Sequence, residues 1–141
     1  MYKKVFLDAN IFLDNEDNTR DLEQNSLKVL SYLIENDIKL YTSCDLITTI
    51  YYILSKKDKQ KALDAVERIN QFCRIIEFSN NEVFQTCQLM KENENYKDLE
   101  DTIQYILAKK EGCDLILSND KNFVSEDIEL LSTKEFLEKI N

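Results

Sequence analysis

Short unbroken apolar runs alternate along this chain with longer stretches of helical spacing. Val5, Phe6 and Leu7 form the first run and predict a buried strand over residues 3–7. Residues 8–18 read as a loop or short helical turn anchored by Ile11, Phe12 and Leu13. Leu27, Leu30, Leu33 and Ile34 have the spacing of an amphipathic helix over 22–35, broken by Asn36 and Asp37. A second strand is expected at 39–42, and Ser43 is a candidate N-cap for a helix from 44 to about 56. The next helix, 59–72, carries Ala62, Leu63, Val66 and Ile69 on its inner face. A third strand follows at 74–78, then a helix over 81–90 capped by Ser79 and Asn80, then a polar loop at 92–96. Leu99, Ile103, Ile106 and Leu107 mark a helix over 99–110. The single glycine, Gly112, stands where a left-handed C-cap needs one. Strands at 114–118 and 128–131 and a helix at 134–140 complete the chain. This alternation predicts one domain over 1–141, a three-layer α/β/α sandwich around a central, mostly parallel sheet of four to five strands.

Composition narrows the chemistry. With one glycine there is no Gly-rich phosphate loop. With no histidine, Ser-His-Asp and Cys-His catalysis are excluded. The four cysteines, Cys44, Cys73, Cys87 and Cys113, lack zinc-site spacing and read as reduced thiols of a cytoplasmic protein. No apolar stretch is long enough to span a membrane, and the N-terminus has no signal-peptide pattern. A net charge of −9 argues against unspecific nucleic-acid binding over the whole surface, while leaving room for a local basic patch or for phosphate contact through bound cations. Any acid–base or metal chemistry must therefore rest on carboxylates.

Several carboxylates stand at suggestive places. Asp8 ends the first strand, and Asp120 follows the fourth. Ligand sites in parallel sheets lie off the carboxyl ends of the strands. Asp98 and Asp101 are three apart at a helix start and share a face. Acids converging from distant parts of a chain suit a hard divalent ion, Mg²⁺ or Mn²⁺, of the kind that activates water and offsets charge in phosphodiester hydrolysis. Asn10 is placed to orient a carboxylate beside such an ion. Singly, each acid has a plainer reading. Asp8 and Asp120 suit turns, Asp98 suits an N-cap, and Asp101 with Glu100 suits the positive end of a helix dipole. Only their joint arrangement points to a site.

The stretch from Val5 through Asp8, Ala9 and Asn10 to Phe12 resembles the opening strand of the PIN domain family, the nuclease fold of VapC-type toxins. Asp98-Leu99-Glu100-Asp101-Thr102-Ile103-Gln104-Tyr105 resembles that family's third-acid helix, and the segment from Gly112 through Ser118, Asn119 and Asp120 to Phe123 its fourth-acid strand. The resemblance implies a metal-dependent endoribonuclease, the toxin of a type II toxin–antitoxin pair. It implies Asp8, Asp101 and Asp120 as metal-site acids, Asp98 close by and Ser118 in support. It also implies an RNA substrate, an antitoxin partner and a homodimer. One position departs from the family. Where members carry a glutamate in the helix after the second strand, this chain has Thr49, and Asp45 one turn earlier is the candidate substitute. That departure gives the alternative, a catalytically degenerate PIN-like module that binds RNA or a protein without cutting. A phosphoaspartyl protein with Asp8 as nucleophile is a third reading. It lacks the acidic pair of receivers and the second aspartate of dehalogenase relatives, whose place Asn10 takes.

Beyond the acids, the basic run at 56–61 reads as a phosphate contact or a solvated helix junction. Tyr51 and Tyr52 read as base-stacking rings, core or interface. Ile47, Ile50, Tyr51 and Leu54 form a stripe suited equally to a dimer face or to the core.

Overall fold

A computed structural model describes residues 1–15 and 20–141. Five strands, β1 (Lys4–Leu7), β2 (Lys39–Ser43), β3 (Cys73–Ile76), β4 (Leu115–Leu117) and β5 (Glu129–Leu131), form one sheet in the order β3-β2-β1-β4-β5. Every pairing is parallel. Seven helices connect them among the described residues: α1 (Ala9–Asn15), α2 (Arg20–Glu35), α3 (Cys44–Ser55), α4 (Lys59–Phe72), α5 (Asn80–Glu92), α6 (Leu99–Lys110) and α7 (Thr133–Ile140). Helices α1, α2 and α7 pack together, the α3–α4 hairpin joins them through α1, and α5 pairs with α6. The expected α/β/α sandwich is observed, with an all-parallel sheet of five strands.

The central strands are apolar throughout because both faces are covered. Val5, Phe6, Leu7, Leu115, Ile116 and Leu117 have no exposed surface. Each such side chain contributes roughly 1.5–3 kcal/mol relative to leaving it in water. Phe136 of α7 closes the core against Tyr2 and Tyr32, with ring centroids 6.0 and 5.7 Å away.

Several local expectations change. Residues 9–15 are a helix, since Ile11 and Phe12 are both buried and a loop would not turn them to the core; residues 16–18 of the expected loop lie outside the described residues. In α2 the buried stripe runs through Ser26, Val29, Leu30 and Leu33, which leaves Leu27 and Ile34 half-exposed at its flanks. In α4, Ala65 takes the buried place expected of Leu63, so small residues face α3. Ser43 occupies the N-cap position of α3 with extended backbone, but its hydroxyl donates to the Asp45 carboxylate instead of capping the helix. Ile50 is buried, Ile47 and Leu54 pack partly against the core, and Tyr51, Tyr52 and Ile53 face outward. At the end of α6, Gly112 takes φ 74°, and the Cys113 amide donates to the Ala108 carbonyl at 2.9 Å, closing the helix as the sequence suggests.

Candidate functional site

The register of β1 against β4 builds the site. Leu7 pairs with Leu117, so Asp8 and Ser118 leave the sheet side by side. The Asp8 amide extends the ladder by donating to the Leu117 carbonyl at 3.0 Å. The Asp8 carboxylate is then fixed from several sides. One oxygen accepts from the Ala9 amide at 2.7 Å. The other accepts from the Ser118 hydroxyl at 2.6 Å and the Asn10 amide at 3.2 Å. Asn10 also accepts from the Asn119 amide at 3.0 Å through its Oδ1, which locks the two strand ends together. The expected supporting roles of Asn10 and Ser118 thus have a geometric basis: both hold Asp8.

Helix α6 begins over the same strand ends. Asp98 caps it by accepting from the Asp101 amide at 2.9 Å, and Thr102 donates its hydroxyl to the Asp98 carbonyl at 2.6 Å. This fixes Asp101 on the first turn. Burial raises the pKa of Asp101 first; the charges of Asp8, Asp98, Asp120 and Glu100 add to it, and together they push it up to about 7. Asp8 is raised by burial and by Asp120, against the lowering effect of its hydrogen bonds. Glu100 is raised by burial and by the charges of Asp45, Asp8 and Asp98. Asp8, Asp98, Asp120 and Glu100 thus lie near enough to Asp101 to act on its charge, and Asp45 near enough to act on Glu100. Asp120 sits in the turn after β4, where its carboxylate accepts from the Asn122 amide at 2.9 Å and its own amide donates to Ser118 at 3.1 Å. It is a turn residue and a member of the cluster at once.

Thr49 does not take the place of a missing carboxylate. Its hydroxyl is directed along its own helix to the Asp45 carbonyl at 3.4 Å. The Asp45 carboxylate is held by Ser43, and its charge reaches Glu100.

Two residues of the site carried no weight in the sequence reading. Glu100 belongs to the cluster, although its place in a helix start is accounted for by the dipole alone. Gln104, one turn after Asp101, is fully buried, and neither its Nε2 nor its Oε1 meets a hydrogen-bond partner. Its amide lies beside Asp8 and favours the ionised carboxylate, without reaching hydrogen-bond geometry. The available signal was a polar residue at a position that the stripe of Ile103 and Leu107 places toward the core.

The donor set suits a hard divalent cation, which would favour the ionised form of Asp101 against burial and the neighbouring carboxylates. Among the described residues no three acids lie close enough to form a ready-made cage. Asp8, fixed by its hydrogen bonds, and Asp101, on a helix start, are the residues that would hold the ion.

Comparison with known proteins agrees with the fold. The model of the PIN domain family matches residues 4–122. Ribonuclease VapC1 of Aquifex aeolicus (strain VF5) is 50% identical over 139 residues, covering 99% of this chain and 96% of that protein. Among solved structures, VapBC2 from Rickettsia felis bound to a DNA fragment from its promoter superposes with a TM-score of 0.70 at 20% identity, over 92% of this chain and 98% of that one. The sarcin-ricin loop cleaving toxin VapC20 of Mycobacterium tuberculosis gives 0.66 at 14% identity, over 84% and 92%.

Proposed function

Since the chain belongs to the PIN domain family, we propose that it is an endoribonuclease, the toxin of a toxin–antitoxin pair, working with Mg²⁺ or Mn²⁺ at the Asp8–Asp101 cluster. The observation that carries this reading is the convergence of Asp8, Asp98, Asp101 and Asp120 at the carboxyl end of a parallel sheet, in a chain half identical to a named ribonuclease. When bound, a divalent cation makes water a better nucleophile near neutral pH and offsets charge on the phosphate. The protein's own part is positional. Ser118, Asn10 and the Ala9 amide fix one carboxylate orientation for Asp8. The Asp98 cap fixes the start of α6 and with it Asp101. A raised pKa on Asp101 means that cation binding displaces a proton near neutrality.

An antitoxin partner is supported by an apolar groove lined by Phe12, Ile34, Leu54, Ile69 and Phe72. The outward Tyr51, Tyr52 and Ile53 of α3 support a homodimer face. No helix among the described residues is long and apolar enough to cross a membrane, which suits work on cytoplasmic RNA.

The test is cleavage of total RNA in Mn²⁺ by the native chain, by Asp8→Asn and by Asp101→Asn. Cutting by the native chain alone is expected. Equal cutting by all three would refute the assignment. Thr49 favours a non-cutting module, and intact RNA in every lane despite measurable Mn²⁺ binding would decide for that alternative.

A further inference from the structure

We propose that the groove between the β4–β5 loop and the start of α7 binds a nucleotide of single-stranded RNA, beside the phosphate held at the acidic cluster, with Lys121 and Lys134 each contacting a separate further phosphate of the strand. The proposal rests on the nuclease reading of that cluster. The groove has a volume of about 500 Å³, within the range of roughly 300–1,000 Å³ usual for small-ligand sites. Ser118 and Asp120 form one wall, so the groove borders the cluster on its Asp120 side. Phe123 and Leu130 supply an apolar surface, and Lys121 and Lys134 stand at the rim.

Lys121 and Lys134 are the lysines that line the groove itself. A chain of net charge −9 with clustered acids at its site repels a polyanion unless cations stand close by. Lys109, Lys110 and Lys139 are spent on Asp127, Glu82 and Glu129. Lys121 and Lys134 are exposed and make no ion pair among the described residues. The groove is also held open by the fold. Asn119 accepts from the Thr133 amide at 2.9 Å and from its hydroxyl at 3.1 Å, pinning the start of α7 to the loop. Its own amide donates to Asp14 at 2.7 Å. The Ser132–Glu135 capping box fixes the far wall. The basic run around Lys56 and Lys57 sits at the α3–α4 junction and lines no part of the groove.

The test is fluorescence anisotropy with a short fluorescein-labelled oligouridylate, on Asp101→Asn protein so that the RNA stays intact, from roughly 50 to 300 mM salt. Each phosphate contact on a single strand adds about 0.7 to the slope of log affinity against log salt. Lys121→Ala with Lys134→Ala should lower that slope by about 1.4 and weaken low-salt binding about tenfold. Lys56→Ala with Lys57→Ala should leave both unchanged. An unchanged slope in the first pair, a loss carried by the second pair, or no binding by the parent protein would each overturn the proposal. Failure of the nuclease reading looks different: the native chain would neither bind Mn²⁺ by calorimetry nor cut RNA, whatever the lysines do.

Discussion

Asp101 and Gln104, one turn apart on α6, each cost stability in favour of binding, by different physics. Asp101 is a carboxylate held among carboxylates, with its pKa at about 7. Replacing it with Asn removes a repelled charge. Asp101→Asn should therefore melt higher than the native chain at pH 8 in chelator, while calorimetry finds no Mn²⁺ binding; a lower melting point would contradict the electrostatic account. Gln104 buries an amide that meets no partner, and an unsatisfied buried group costs roughly 1–3 kcal/mol. Gln104→Leu should raise stability by about 1 kcal/mol in urea melts. It should also weaken Mn²⁺ several-fold, because Asp8 loses a neighbour that favours its ionised form. The two residues differ in how far the sequence announced them. Asp101 shares a helix face with Asp98 and was legible by spacing. Gln104 was not, since its meaning comes from Asp8, at the end of β1, lying beside it, a proximity that no local pattern encodes.

At the scale of elements, α6 combines a cap and a site in one turn. Asp98 satisfies the Asp101 amide, and loss of such a cap costs about 1 kcal/mol. Asp98→Ala should show that loss in thermal melts, whereas Asp98→Asn keeps the cap and should melt within a few tenths of a kcal/mol of native. Both should weaken Mn²⁺ if the charge matters to the site. Equal melting of the two variants would dispose of the capping role. The strands and most helices were legible because buried parallel strands are apolar throughout and helices keep a 3.6-residue period. The stripe of α2 was misplaced because the period fixes which residues are neighbours on a face, not which neighbours end at the centre of the contact. Leu27 lost that place to Val29 and Ser26, which are fully buried on a helix packed against α1 and α7.

The whole molecule carries the sum of these charges. Asp8, Glu100 and Asp101 all have raised pKa values, with burial the first cause in each. The folded state therefore holds more protons than the unfolded chain between about pH 4 and about pH 7. That contribution to stability is present below this window and is lost as pH rises through it. In chelator the melting temperature should fall from pH 5 to pH 8. Added Mn²⁺ should restore it at pH 8, by mass action on the folded state, and should fail to do so in Asp101→Asn. A melting temperature that climbs over this range in chelator would show that the acids are not clustered. Strand order was the largest feature that periodicity left open. The alternation of elements announces a parallel sheet but does not say that β1 lies at its centre, between β2 and β4. That placement is what brings Asp8 to Ser118 across 110 residues of chain.

The same central position governs when, during synthesis, the protein can become active. The first strand made waits for the fourth before its inner edge is paired, and Asp8 waits for Ser118 before its carboxylate is fixed. Domains emerge from the ribosome N-terminal end first, and the exit tunnel retains the last residues added. A nascent chain therefore carries Asp8 and Ser118 apart until β4 has been made. A message truncated anywhere before the β4 codons would yield an inert product, so for a chain that cuts RNA the wiring of the sheet delays its activity until that late strand is in place.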